Sequence, residues 1–534
     1  MQHVKSEPRN QMQFFCLDQM VDPNSFVRII DFFVDTIDLK SFGFKHVTLK
    51  EEGRPPIHPA LLLKLYIYGY RFNVRSSRKL EREAMLNIEA RWLLGEVVPS
   101  NKTIANFRKD YAEQFRAIFR KFVFLLKQLD LVEGKTIAVD SFKVRAQNSL
   151  KNNYNQGKID RHKEYINARL AEFEKALDEA DSQESKAELA AKIETQKSRK
   201  DKYEALEAQI KATGKDQIST TDPDAQSVVL QRGITVVGYN VQGAVDAKHK
   251  LITHFDTGSV NDTNALAAVA IETKELLQVE KMDVLADKGY HTGEQIQQCE
   301  QNNITTYVSP KEPASNNPDI FSITQFVYNA EKDCYSCPAN QTLTTNGTWL
   351  KHSSKGHKSA YKFQRYNNPT ACRPCELHAQ CSTSKNNGRN IDRSEFASLM
   401  EQNAERVKQN PDYYKQRQQL AEHPWGTIKR QRGFDHVLTR GKTKMLGEVS
   451  LVFIGYNLAR CANILDGFEK FKALIYKYMN ANNMLSLLQT AYLSSFATSA
   501  FFNSVFQQLK FNRNLCTYET LPTEIFTIFG KKLG

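Results

Sequence analysis

Two short apolar runs in this chain each stop on an aspartate, and no other feature constrains its fold as tightly. Thr136-Ile137-Ala138-Val139 runs into Asp140, and Val284-Leu285-Ala286 runs into Asp287. Runs of this length without polar interruption read as buried strands. A buried strand that ends on a carboxylate hands it to the edge of a sheet. The pair therefore predicts an α/β core with acidic groups at its strand ends. A third carboxylate, Glu422, stands in Glu422-His423-Pro424-Trp425-Gly426-Thr427-Ile428-Lys429, within a stretch dense in Arg and Lys.

Carboxylates offer hard oxygen ligands to Mg²⁺, which takes one or two of them together with waters and substrate phosphate. Two such ions can clamp the attacking and leaving oxygens of an in-line displacement. The formal net charge of +13 over 534 residues and the pI of about 9.1 favour a polyanionic partner. Phosphodiester chemistry fits both observations. The length predicts at least two domains.

Periodicity and turn residues divide the chain further. Residues 1–130 read as a helical DNA-binding domain. A helix starts near Pro59, and others cover about 77–86 and about 102–129. Arg71, Arg75, Arg78, Arg82, Arg91 and Arg108 suit helix-turn-helix-like DNA contacts. Residues 131–155 open the catalytic core. Residues 156–215 form a charged helical hairpin whose seam includes Ile166, Leu170, Phe173 and Leu177. The core continues over 216–310. It has antiparallel strands at 234–246 and 251–256, a helix at 266–277 with Asn261 or Asp262 as N-cap, a strand at 282–286, a helix near 294–302 and a strand at 305–308. Residues 311–400 are a polar, Cys-rich insertion, and 401–480 supply closing helices. In these, Pro424 predicts that Glu422 sits where a helix begins. The tail, 481–534, holds an apolar stretch, Leu485 to Phe506. Its Gln489, Thr490, Ser494, Ser495, Thr498, Ser499 and Asn503 argue for a packed helix and against a membrane span. The start, Met1 to Pro8, has no apolar leader run.

Among nine cysteines, Cys334-x-x-Cys337 and Cys372-x-x-Cys375 have the spacing of a structural Zn²⁺ site. Cys381 is the alternative ligand, and His378 a further one. Such clusters belong to a reducing compartment. Asp222, Asp224, Asp246 and Asp262 are alternative carboxylates to the main pair, and Glu395, Glu401 and Glu405 rival Glu422. Trp425 can pack the helix onto the sheet or stack on an unpaired base, and packing is favoured.

Taken in order, these motifs resemble a bacterial insertion-sequence transposase of the DDE class. The resembling residues are Gly53-Arg54-Pro55-Pro56, Pro99 with Thr103-Ile104 and Phe107-Arg108, Asp140-Ser141, Thr221 to Ala225, Gly238 to Gln242, Asn261-Asp262, Ala286 to Tyr290, and Glu422 to Lys429. The resemblance implies a ribonuclease-H-like catalytic core that cuts and joins DNA at the ends of its own mobile element. Asp140, Asp287 and Glu422 would hold two Mg²⁺ or Mn²⁺ ions. A related Tyr-x-x-Arg-x-x-x-Glu-(six)-Lys signature maps onto Tyr414, Arg417, Glu422 and Lys429, with one extra residue between Arg417 and Glu422. Of these, Tyr414, Arg417 and Lys429, together with Arg430, would grip DNA. The implied partners are double-stranded DNA, as element ends and target, and further copies of the chain in the DNA complex. The implied location is the bacterial cytoplasm, with no membrane. The alternatives are a metal-dependent DNA nuclease without strand transfer and a DNA-binding protein without catalysis.

Overall fold

The computed structural model describes residues 14, 16–49, 52, 55–180, 182–214, 216–230, 233–258, 260–311, 319–351, 361–384 and 388–480. The apolar stretch Leu485 to Phe506 and the motif residues Gly53 and Arg54 lie outside them. Residues up to Phe468 form one compact unit, and a second begins at Glu469, with a helical segment over 469–480. Among the described residues, no helix is long and apolar enough to cross a membrane.

The N-terminal region is helical: α1 (Phe26–Asp35), α2 (Pro59–Arg71), α3 (Ser77–Leu86), α4 (Ile88–Leu94), α5 (Asn101–Asp110) and α6 (Ala112–Gln128). Local chemistry sets several starts. Ser25 accepts from Val27 N–H at α1, Pro59 sits in the first turn of α2, and Asn87 accepts from Glu89 and Ala90 at α4. The single helix expected over 102–129 is two, because Tyr111 breaks the run between α5 and α6.

A mixed sheet follows. Its strands are β1 (Thr136–Arg145), then, after short β2 (Asn153–Asn155), α7 (Gln156–Asp178), α8 (Gln183–Thr213) and β3 (Gln217–Ser219), the strands β4 (Gln226–Val229), β5 (Thr235–Asp246) and β6 (Ile252–Thr257). After α9 (Leu266–Leu277) come β7 (Met282–Ala286), α10 (Gly293–Gln301) and β8 (Ile304–Val308). The order is β5–β1–β7–β8, with β5 antiparallel to β1 and both β7 and β8 parallel to it. The outer side of β5 is shared: β4 covers its first part and β6 its second. Helices α7 and α8 form the expected hairpin, closed over Tyr154, Ile159, Ile166, Tyr203, Leu206 and Ile210.

The insertion adds β9 (Val327–Asn329), β10 (Cys334–Ser336), β11 (Thr342–Thr344), β12 (Leu350–Lys351), β13 (Lys362–Tyr366), α11 (Pro369–Cys372), α12 (His378–Cys381) and β14 (Ile391–Ser394). Then come α13 (Ala397–Gln409), α14 (Pro411–Gly426), a π-helical turn over Thr427–Gln431, and α15 (Lys442–Ile464). Helix α15 is buried along most of its length and packs on both α2 and α6, so the N-terminal helices and the sheet share one core. Its polar residues serve as joints. Buried Glu448 accepts from Tyr70 Oη and from the backbone of Leu438 and Thr439. Gly447 is required where a Cβ would stand 2.7 Å from Ala112.

Side-chain amides close the outer strands of the sheet. The Asn457 amide pairs both ways with the backbone of Ile252 on β6, at 3.0 and 2.8 Å. That of Asn403 does the same to Val308 on β8, at 2.9 and 2.7 Å. On β4, Ser227 N–H donates to Gln217 Oε1 at 2.9 Å.

Candidate active site

Strands β1 and β7 run parallel with Val139 opposite Ala286. The next residue on each is the expected aspartate. Asp287 follows the last residue of β7, whereas Asp140 does not close its strand as expected: β1 runs on to Arg145 because Asp140 to Arg145 go on pairing with β5. Each carboxylate is braced by the following amide: Ser141 N–H donates to Asp140 Oδ1 at 2.8 Å, and Lys288 N–H to Asp287 Oδ1. Asp287 thereby caps a 3₁₀ turn over Lys288–Tyr290 that drives Tyr290 into the core.

Asp262 joins the pair. It does not cap α9, as its sequence context predicts. A 3₁₀ turn over Asp262–Asn264 intervenes, and the cap position falls to Ala265. The side chain is fixed from β5: Asn240 Nδ2 donates to Asp262 Oδ1 at 3.0 Å and Gln242 Nε2 at 2.8 Å. Tyr290 Oη donates in turn to Gln242 Oε1. Gly289 passes beside Asp262, where a Cβ would stand 3.4 Å from its Oδ2. The charges register on Asp140. Burial pushes its carboxyl up to about 6, and the neighbouring Asp262 and Asp287 add to the rise, against Ser141 N–H and Arg417.

Helix α14 brings cations to this edge. Tyr414 Oη donates to Ala286 O at 3.2 Å, one residue before Asp287. The guanidinium of Arg417 acts on Asp140 and holds its carboxyl down against the burial. Lys429, in the π-helical turn, has its Nζ 5.5 Å from the Phe142 ring centroid. Burial pulls its pKa down, and Asp140 opposes that shift. Arg430 is exposed.

Glu422 is placed differently from expectation. Pro424 lies inside α14 near its end, not at its start, so Glu422 is on a helix already well under way. The driving force is the neighbour of that proline. Trp425 is 6% exposed and packs at a tilt against Phe142 and Phe453, with centroids 5.0 and 5.7 Å away. It also fills the space over Gly243, where a Cβ would stand 2.5 Å from its ring. That packing outweighs the local bias of Pro424, and the helix passes into a π turn immediately afterwards. The Glu422 carboxylate is exposed, accepts from Gln418 Nε2 at 3.0 Å, and is not among the main charges acting on Asp140.

The other candidate carboxylates have structural work. Asp222 accepts from Tyr239 Oη and Gly441 N–H, and Asp224 from Lys442 N–H. Asp246 accepts from Glu133, Gly134 and Lys248 N–H. Glu401 pairs with Arg393, Glu395 accepts from Lys362 N–H, and Glu405 accepts from Gln409. The proposed DNA-contact arginines also divide. Arg75 and Arg108 are each 8% exposed. Arg75 donates to the carbonyls of His436 and Gly433, and Arg108 to Arg75 O. Arg71 lies over Phe26 and Phe72, and Arg91 pairs with Glu96. Arg78 and Arg82 on α3 are exposed.

Among the described residues, no group of three or more His, Cys, Asp or Glu side chains stands in metal-holding geometry. The donor set around Asp140 nonetheless suits a hard divalent cation. It is all carboxylate oxygen, and Asp140 is held at a cost that an added positive charge would relieve.

Two segments match family models: residues 15–110 match "Transposase domain (DUF772)" and residues 336–462 match "Transposase DDE domain". The chain is similar to DDE-class transposases. The first match covers α1 to α5. The second takes in α13, α14 with Glu422, and most of α15, while Asp140 and Asp287 lie outside it. None of the curated proteins matches the chain. Among solved structures, a cryo-EM structure of a piggyBac transposase synaptic complex with hairpin DNA is similar at 10% identity and a TM-score of 0.30. It covers 93% of this chain and 89% of that one.

Proposed function

We propose that this chain is a DNA transposase that cuts and joins phosphodiesters at the Asp140–Asp287 edge. One observation carries the reading: Val139 opposite Ala286 sets the two carboxylates side by side, with Arg417 and Lys429 near Asp140. The strand order β6–β5–β1–β7–β8 supports a ribonuclease-H-like core. The two family matches support transposition as the activity. Mg²⁺ held by Asp140, Asp287 and Glu422 would activate a water or a DNA 3′-hydroxyl and stabilise the departing oxygen. The chain's own residues do the rest. Arg417 and Lys429 hold the reacting phosphate in line, and Tyr414 ties α14 to the strand that carries Asp287. Arg430, with Arg78 and Arg82 on α3, grips flanking phosphates, a term independent of sequence. Further copies of the chain would assemble on the DNA.

A second reading concerns the third ligand. Asp262 rather than Glu422 acts on Asp140 as the chain stands, and its amide bracing fixes it there. The test uses duplexes carrying the DNA that flanks this reading frame. Mg²⁺-dependent cleavage, joining and gel-shift binding are measured for Asp140→Asn, Asp287→Asn, Glu422→Gln and Asp262→Asn. The first three should lose cleavage and joining while keeping binding. Loss in Asp262→Asn with activity kept in Glu422→Gln assigns the third ligand to Asp262. Cleavage by Asp287→Asn at the unmodified rate overturns the mechanism. Cleavage without joining by the unmodified chain makes it a nuclease.

A further inference from the structure

The Cys-rich insertion carries two small three-stranded sheets around a small apolar core. Its own core is Phe326, Tyr335, Leu343, Tyr366 and Ile391. Segments with so little apolar burial commonly need a staple. The fold supplies the parts of one. A cavity of about 20 Å³ lies beside that core, and Cys337, Cys372, Cys375 and Cys381 line it together with His378. One water-sized sphere needs about 10–15 Å³, so the space suits a single ion.

Each thiol arrives on a tight local turn. Cys337 precedes a turn in which Asn340 N–H donates to Cys337 O, and Gln341 N–H donates to Cys337 Sγ at 3.3 Å. Cys372 ends α11, and Cys375 N–H donates back to Cys372 O at 3.3 Å. Cys381 ends α12. Gly388 closes over Cys372 with φ +66, where a Cβ would stand 2.8 Å from its Sγ. The thiol of Cys381 is pushed up by burial, and the sulfurs of Cys372, Cys337 and Cys375 add to that rise, so all four are electrostatic neighbours. His378 Nε2 is buried without a hydrogen-bond partner. Cys334, half of the first Cys-x-x-Cys pair, is not part of this wall. It is buried on β10, opposite Thr344 and Asn329.

We propose that Cys337, Cys372, Cys375 and Cys381 bind one structural Zn²⁺ and that Cys334 takes no part. Binding displaces the thiol protons to solvent and leaves four thiolates on the ion, a net charge of −2 that Arg389 is placed to offset, since its Nη1 donates to Cys381 O at 3.4 Å. Among the described residues the four do not yet stand in ligating geometry. The ion draws them to about 2.3 Å and so tightens α11, α12 and the turn after Cys337 around one point. The site is independent of the phosphodiester chemistry.

The full chain, purified under reducing conditions, should carry about one zinc per chain by elemental analysis. Replacing the metal with Co²⁺ should give the thiolate charge-transfer and visible bands of a tetrahedral four-sulfur site. Cys381→Ser should lose most of the zinc, whereas Cys334→Ser should keep it. A chelator should speed proteolysis within 311–400 in the unmodified chain. Metal-free protein, Co²⁺ bands without thiolate charge transfer, or equal zinc loss in Cys334→Ser and Cys381→Ser would each overturn the proposal. So would a disulfide between any two of the four under the same reducing conditions. The Co²⁺ and proteolysis measurements use the unmodified chain and stand even if a variant fails to fold.

Discussion

Removing the charge of Asp140 should make the chain more stable while destroying its activity. In the folded chain this carboxyl is raised from 3.8 to about 6, chiefly by burial and then by its acidic neighbours. The sign follows from linkage. A carboxyl whose folded pKa lies above its unfolded value destabilises the fold at high pH. That cost shrinks as pH falls through the folded value and vanishes below the unfolded one. A rise of about two units is worth at most about 3 kcal/mol near pH 7, and roughly half of that near pH 5. Asp140 is only partly buried, so solvent screening trims both figures. Asp140→Asn has no charge to desolvate. With a chelator present, its melting temperature should exceed that of the unmodified chain by a few degrees near pH 7, on the order of what such energies give in large domains. The gap should narrow near pH 5. Mg²⁺ should raise the melting temperature of the unmodified chain and leave the variant unmoved. Equal melting temperatures near pH 7, or a gap that widens as pH falls, would refute the electrostatic account of this edge.

Gly243→Ala puts a methyl 2.5 Å from the Trp425 ring. It should cost about 1–3 kcal/mol in chemical denaturation and reduce cleavage by shifting α14. Arg108→Ala should lower stability by about 1–3 kcal/mol, because Arg108 donates to Arg75 O and Tyr70 Oη inside the core. Arg82→Ala on the exposed face of α3 should leave stability within about 0.5 kcal/mol and weaken DNA binding instead. If Arg108→Ala weakened binding with no change in stability, the structural reading of that residue would fail. Arg430→Ala should lower the slope of log affinity against log salt by about 0.9, the contribution of one phosphate contact. An unchanged slope would remove Arg430 from the interface.

What the sequence revealed, and what it hid, follows the range of the forces involved. The positions of Asp140 and Asp287 on neighbouring strands were legible because each follows a run whose burial is a local pattern, and the pairing of β1 with β7 brings the two runs together. The place of Glu422 along its helix was misjudged for the opposite reason. Pro424 has a strong local preference for the first turn of a helix, but Trp425 meets Phe142, Phe453 and bare Gly243 from distant parts of the chain. Asp262 has the residue type and position of an N-cap. Only β5, through Asn240 and Gln242, turns it towards Asp140. The alternation of side chains on β5 gave no sign of that, since every residue from Val237 to Asp246 is buried. Arg75 and Arg108 looked like surface cations because nothing local announces the carbonyls and the Glu448–Tyr70 pair that receive them.

The amides of Asn403, Asn457 and Gln217 carry a consequence for how copies of this chain can meet. An open strand margin is a template on which another chain can extend a sheet. Here the margins at Val308, Ile252 and Ser227 are already occupied by side chains from the same molecule. Recruitment of a second copy by strand addition would first have to displace those groups. Any contact between copies would then fall outside these margins, where it could be weakened or rebuilt by substitution without unravelling the layer that holds β1 and β7 in register.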